Sequence, residues 1–332
     1  MPRSRGWGIV VFVLGILSTI QTVIVNTIGF ADADTNSAFA CGHQWLTCNG
    51  QIIPSLVSWQ TLIEYSHRIN VPILTALLLV TAIMGSWRYR KWPEIPILSA
   101  ISIFFVLLEA FLGAIAVVWS EPPAVIATHF GVSLLAFSSV LLLTINIARI
   151  EAVREASLKS GRPLPIRKPL PNRSYRWWAW LSGPYIYIAM YVGAYISSSS
   201  TGGLFRGIPV PDESPSAPHH ALLLDWLHRS LAGVLLVWVI VLFVRAVEMR
   251  HERRDLLFAS SFALGFTVLQ AFSGLLLVAT HVSLPAFLIH VSVVTGLFGS
   301  LCFLAMQTLP PTKGKPVEEE SAFVGAGTGS RA

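Results

Sequence analysis

Four histidines stand in this chain as two pairs at one constant offset. Glu64-Tyr65-Ser66-His67-Arg68 returns 161 residues later as Asp225-Trp226-Leu227-His228-Arg229. The same offset carries His129 onto His290, and Phe105, Ala110, Phe111 and Gly113 onto Phe266, Ala271, Phe272 and Gly274. Both pairs lie in or beside strongly apolar segments. A titratable side chain inside lipid is costly, faces the protein interior and usually serves a function. Paired intramembrane imidazoles suit bis-histidine ligation of haem iron, one haem per half. Interhelical hydrogen bonding is the competing reading for any single buried histidine, but four at duplicated positions favour ligands. His43, His219, His220, His251 and His281 fall in loops or at interfaces and read as solvated residues.

The elements that must position these ligands are membrane spans. The chain is 54% apolar and 12% charged, where a soluble protein carries about 25% charged residues. Uncharged runs at Gly6–Ala31, Pro122–Ala148 and Trp177–Phe205 each exceed the roughly 20 residues needed to cross a bilayer core. Residues 256–312 carry no Asp, Glu, Lys or Arg. They are long enough for two spans, with His281-Val-Ser-Leu-Pro285 as the turn. Ile69–Trp87 is a further span. Ile95–Ser120, interrupted by Glu109, and the short Ser230–Val244 are supported by their counterparts in the repeat. The fold class is therefore an all-α integral membrane protein with eight transmembrane helices, arranged as two pseudo-symmetric four-helix bundles. An N-terminal signal peptide is the competing reading of the first run, which is longer than the 7–15 residues of a signal core. It is read as a retained helix.

Lys and Arg concentrate in cytoplasmic loops. With the N-terminus inside, 20 of the 23 basic residues face the cytoplasm, Arg206 alone lies outside, and Arg68 and Arg229 sit beside the histidines. The net charge of +6 thus reflects topology in a cell inner membrane, with both termini cytoplasmic. No basic soluble domain exists to bind nucleic acid. Residues 1–148 form the first bundle, 149–176 a basic cytosolic linker, 177–309 the second bundle and 310–332 a disordered tail. An even number of helices per half gives both the same orientation, related by an axis along the membrane normal.

The halves differ in chemistry. Glu64 lies three residues before His67 and shares its helix face. Its counterpart Asp225 is shorter, and Glu109 aligns with the neutral Gln270. Cys41 and Cys48 lie in the first outside loop, an oxidising compartment that favours a disulfide. Cys302 reads as a small apolar packing residue. The first half is thus the reactive one, with Glu64 as its acid–base residue, and the second transfers electrons. Arg68 and Arg229 either reach haem propionates or make polar contacts at the helix ends. Gly113 and Gly274 leave room for a porphyrin edge.

Glu64-Tyr-Ser-His67-Arg68, the Cys41/Cys48 loop, His129 after a proline-containing turn, and the second set at His228 and His290 resemble the haem A synthase family. The likeness covers roughly residues 7–307. It implies oxidation of the C8 methyl of haem O to a formyl group, giving haem A for terminal oxidases. It implies substrate haem between His67 and His129, a haem b cofactor between His228 and His290, and Glu64 as the essential carboxylate. Haem O synthase, oxidase assembly factors and an electron partner are the implied associates. Two departures stand out: Glu109 opposite Gln270, which bears on the substrate pocket, and a second outside loop without cysteines. The cysteine pair is read as a staple, a regulator or an electron relay. A dihaem cytochrome passing electrons from quinol fits the four histidines and two bundles equally well, but Glu64, Glu109 and the cysteine loop less well; a haem carrier, whose sites only hold cargo, is a third class.

Overall fold

The computed structural model describes residues 5–43, 47–55, 58–119, 122–199, 201–212 and 218–311. The tail expected to be disordered from residue 310 lies outside the described residues from 312 on. Eight α-helices run through the described residues: α1 (Arg5–Asp34), α2 (Trp59–Arg88), α3 (Glu94–Val118), α4 (Pro123–Ser160), α5 (Arg173–Ser198), α6 (His219–Glu248), α7 (Arg254–Ala279) and α8 (Leu284–Gln307). Seven of them, all but α5, are long and apolar enough to cross a membrane. Arg173, Arg176 and a run of Trp and Tyr residues lower the hydropathy of α5.

Local chemistry sets the helix ends. Ser58 caps α2 by accepting from Thr61 N at 3.1 Å. Asn172 caps α5 by accepting from Ser174 N at 2.9 Å, as short polar side chains do at a helix start. Pro123 and Pro285 occupy the first turns of α4 and α8, where a missing N–H costs nothing. Gly161, at φ +65°, ends α4.

Three boundaries differ from those read in the sequence. Helix α4 continues through residues 149–160 of the expected linker. No Pro or Gly interrupts it before Gly161. Helix α6 starts at His219, directly after Pro218, so the short span at Ser230–Val244 is part of a full-length helix. Helix α5 stops at Ser198, short of Phe205. The turn at residues 280–283 lies where it was read, with His281 and Val282 both at positive φ.

Helices α1 to α4 pack as one closed ring, α1 on α2, α2 on α3, α3 on α4 and α4 on α1. Helices α5 to α8 close a second ring in the same order. The rings meet where α4 lies against α5 and α8, with α8 also against α1. Phe30, Phe130, Leu134, Ile186, Leu297, Phe298 and Leu301 fill the core at this meeting. Small and hydroxylated residues let helices approach: Ser18 Oγ lies 3.0 Å from Thr81 Oγ1, and Thr19 Oγ1 lies 3.0 Å from Thr144 Oγ1. Such interhelical contacts supply packing that lipid exclusion cannot.

At the end opposite the histidines, arginines fasten the linker. Arg253, only 1% exposed, grips Asp255 with two donors at 2.9 and 2.8 Å and donates to Gln307 O at 2.7 Å. It also reaches Pro169 O at 3.3 Å. Arg167 pairs with Glu94 at 2.7 Å, and Arg149 reaches Ile166 O at 3.3 Å. The second part of the linker is thereby tied to α3, α4, α7 and α8.

Candidate functional site

All four repeated histidines sit within the first three turns of their helices, at one end of the protein: His67 in α2, His129 in α4, His228 in α6 and His290 in α8. Each ring rests against a glycine of the preceding helix. A Cβ placed on Gly29, Gly113, Gly193 or Gly274 would lie 3.0, 3.4, 2.7 or 3.5 Å from the nearest ring atom of His67, His129, His228 or His290. Gly113 and Gly274 are the two glycines expected to face a porphyrin edge. The atoms they make room for here are imidazole atoms. At His67 the atom against the glycine is Nε2, whereas at the other three it is Cε1.

Three of the four rings have Nδ1 beside an acceptor. His129 Nδ1 lies 3.2 Å from Glu109 Oε1. His228 Nδ1 lies 3.1 Å from Ala189 O. His290 Nδ1 lies 3.0 Å from Ser273 Oγ, whose hydroxyl donates to Gln270 O at 2.9 Å and so accepts from the ring. An imidazole whose Nδ1 carries the hydrogen presents an Nε2 lone pair, the form that ligates a metal. Gln270 Nε2 lies 3.1 Å from His290 Nε2 and 3.2 Å from its Nδ1. Its Oε1 is buried without a hydrogen-bond partner among the described residues.

His67 and His129 belong to one ring of helices, and His228 and His290 to the other. Among the described residues, no group of three or more His, Cys, Asp or Glu is placed to hold a metal ion by itself. Two imidazoles per ring of helices fit a metal that brings its own equatorial ligands, which is what haem iron does. Bundle cores hold such cofactors between facing helices. The donor set therefore fits haem.

Glu64 and Arg68 turn toward the loop that follows α1. Glu64, 2% exposed, accepts from Cys41 N at 2.6 Å and forms an ion pair with Arg68. Arg68 donates to Thr47 O at 2.7 Å and Gly42 O at 3.1 Å. Cys41 and Cys48 are joined in a disulfide. His43 is exposed, yet its Nδ1 lies 3.0 Å from Val117 O, fixing the loop to the end of α3. The second half repeats the clamp. Asp225 pairs with Arg229 at 2.8 Å, and Arg229 binds Gly207 O, Pro209 O and Phe205 O. The contacts at the helix ends, one of two readings for these arginines, are thus present in both halves. His219, His220, His251 and His281 are exposed. Cys302 is a free cysteine packed against the central core.

The glycines Gly29 and Gly193 and the acceptors Ala189 and Ser273 were not found in the sequence. Gly29 and Gly193 stand 164 residues apart, off the 161 offset, because the first loop is longer. Ser273 aligns with Leu112, so the repeat gives it no signal.

Residues 12–302 match the family model described as COX15-CtaA, cytochrome oxidase assembly protein. The chain is 33% identical over 306 residues to heme A synthase of Staphylococcus epidermidis, covering 90% of this chain and 96% of that protein. It is 32% identical over 300 residues to heme A synthase of Staphylococcus saprophyticus, covering 89% and 95% of the two chains. Against heme A synthase of Staphylococcus aureus the identity is 33% over 300 residues, covering 89% and 94%.

Proposed function

Because this chain belongs to the COX15-CtaA cytochrome oxidase assembly protein family, we propose that it is a haem A synthase, a membrane enzyme that converts haem O to haem A. In this reading the C8 methyl of haem O becomes a formyl group, and the product goes to terminal oxidases. The observation that carries the site assignment is the duplicated imidazole pair, three of whose four rings have Nδ1 beside an acceptor. His67 and His129 hold substrate haem O in the first bundle. His228 and His290 hold haem b in the second. Haem b, when bound, supplies a one-electron redox centre.

The chain's own residues do the rest. Ala189 O and Ser273 Oγ orient His228 and His290 through their Nδ1 atoms. Oxidising a methyl group removes hydrogen, so a proton acceptor is needed near the substrate. Glu64 fills that role at its carboxylate oxygens, one turn from His67. The Cys41–Cys48 loop covers the site, held by Glu64 and Arg68. Propionate contacts by Arg68 and Arg229 share donors with the loop carbonyls they already bind.

In the same reading α5 crosses the membrane as the eighth span, its aromatic residues offsetting a modest hydropathy. The contact order maps onto itself when α1–α4 are exchanged with α5–α8, which supports two pseudo-symmetric bundles. The arginine-rich end faces the cytoplasm and the histidine end faces outward, in the cytoplasmic membrane. Haem O synthase, oxidase assembly factors and an electron partner are the associates this function requires.

Pigment extraction tests the reading. The protein is expressed with a supply of haem O, and its haems are separated. Haem A supports the synthase. Unchanged haem O would make the protein a carrier, and haem b alone would make it a dihaem cytochrome.

A further inference from the structure

The two bundles present the same histidine to different neighbours. Helix α3 turns Glu109 toward His129, with Oε1 at 3.2 Å from Nδ1. At the position equivalent to Glu109, α7 carries Gln270, whose amide nitrogen faces both ring nitrogens of His290 at 3.2 and 3.1 Å. The acceptor for His290 Nδ1 is instead Ser273 Oγ at 3.0 Å. Ser273 has Leu112 as its counterpart in the first bundle, so α3 offers no hydroxyl there. One bundle thus uses an acid and the other a neutral hydroxyl for the same task.

Resting on the haem-site reading above, we propose that Glu109 is a positioning residue. It makes His129 a stronger electron donor than His290, so that the first-bundle haem is the easier of the two to oxidise. The Glu109 contact is an ion-pair contact at 3.2 Å rather than an aligned hydrogen bond, and a carboxylate charge that close makes the imidazole more electron-rich. A carboxylate on the far nitrogen of a ligating imidazole fixes its orientation and raises its basicity. A more basic axial ligand favours ferric over ferrous iron, since ligand identity and outer hydrogen bonds set haem potential. The substrate site is then poised to lose electrons and the cofactor site to accept them. Electron flow from haem O toward haem b follows from the difference between Glu109 on one side and Ser273 with Gln270 on the other.

The test is an optical redox titration of the purified full-length protein carrying haem b and loaded with haem O. Two one-electron waves are expected, and the wave that remains in His228→Ala belongs to the first bundle. Glu109→Gln should raise that wave alone, by roughly tenfold in the oxidised-to-reduced ratio, ~59 mV for a one-electron couple. The reciprocal Gln270→Glu should lower the other wave, which keeps the test valid if Glu109→Gln does not fold. Two waves in the wild type with neither variant shifting its own wave would overturn the inference and leave the haem sites standing. A single wave after loading would overturn the haem-site reading and this inference with it.

Discussion

Cys41 N donates to Oε2 of Glu64 at 2.6 Å, so the acid one turn before His67 also holds the head of the disulfide loop. Its other oxygen is engaged by Arg68, which in turn holds Gly42 O and Thr47 O. Glu64 therefore anchors the loop, and in the proposed function it also exchanges protons at the substrate. A carboxylate buried with one cation and one backbone donor is well satisfied, which makes its position well defined.

The two tasks separate by substitution. Glu64→Gln keeps the shape and an acceptor oxygen for Cys41 N but removes the acid. The fold and haem b should survive, while haem A formation should fall by about 10²–10⁴-fold, the usual contribution of an acid–base group. Arg68→Ala releases Gly42 and Thr47 but keeps the acid, and should retain more activity than Glu64→Gln. Pigment analysis of both variants decides. Equal losses would make Glu64 a loop anchor and would point to Glu109 as the acid.

The cysteine pair makes a separate prediction. Cys41 is 0% and Cys48 1% exposed, and the loop around them is fixed by Glu64, Arg68 and His43. Thiol reagents should modify neither cysteine in the folded protein without reductant. The closed loop is short, so the disulfide stabilises by only about 2–3 kcal/mol in the chain-entropy picture. Cys41→Ser with Cys48→Ser should still yield a folded protein with haem b. Ready labelling of both cysteines in the untreated protein would count against the bond.

The proposed haem b site rests on two named rings. His228→Ala or His290→Ala should abolish the low-spin spectrum assigned to the second bundle. The imidazole anchors at Ala189 and Ser273 would remain but would have nothing to orient. An unchanged spectrum in either variant would remove that residue from the ligand set.

Much of this arrangement was legible from periodicity and duplication. Six of the eight helices announce themselves by apolar length, α3 and α6 by their counterparts in the repeat, and the four histidines by one shared offset. Two features were hidden for physical reasons. The extension of α4 to Ser160 depends on where prolines and glycines are absent. The contact between Glu64 and Cys41 joins residues on different elements, and no local pattern reports it. The partners of the imidazoles were the least legible. Gly29 and Gly193 fall off the repeat offset, and Ser273 stands opposite Leu112, so the halves solve one problem with unlike residues.

Gly193 gives the sharpest test of that hidden layer. A Cβ there would lie 2.7 Å from Cε1 of His228 and 3.1 Å from its Nδ1, closer than packed carbon atoms tolerate. The ring sits against α5 so that Nδ1 reaches Ala189 O, and only glycine permits that approach. Gly193→Ala must therefore push the imidazole off its anchor. Second-sphere losses of this kind typically weaken metal binding by about 10–100-fold, so haem b should titrate with correspondingly lower affinity while the helices persist. Gly233 supplies the control, because it lies on α6 with His228 but has nothing within 4 Å of an added Cβ. Gly233→Ala should leave haem affinity unchanged. Equal affinity in Gly193→Ala and wild type would show that His228 does not depend on its contact with α5.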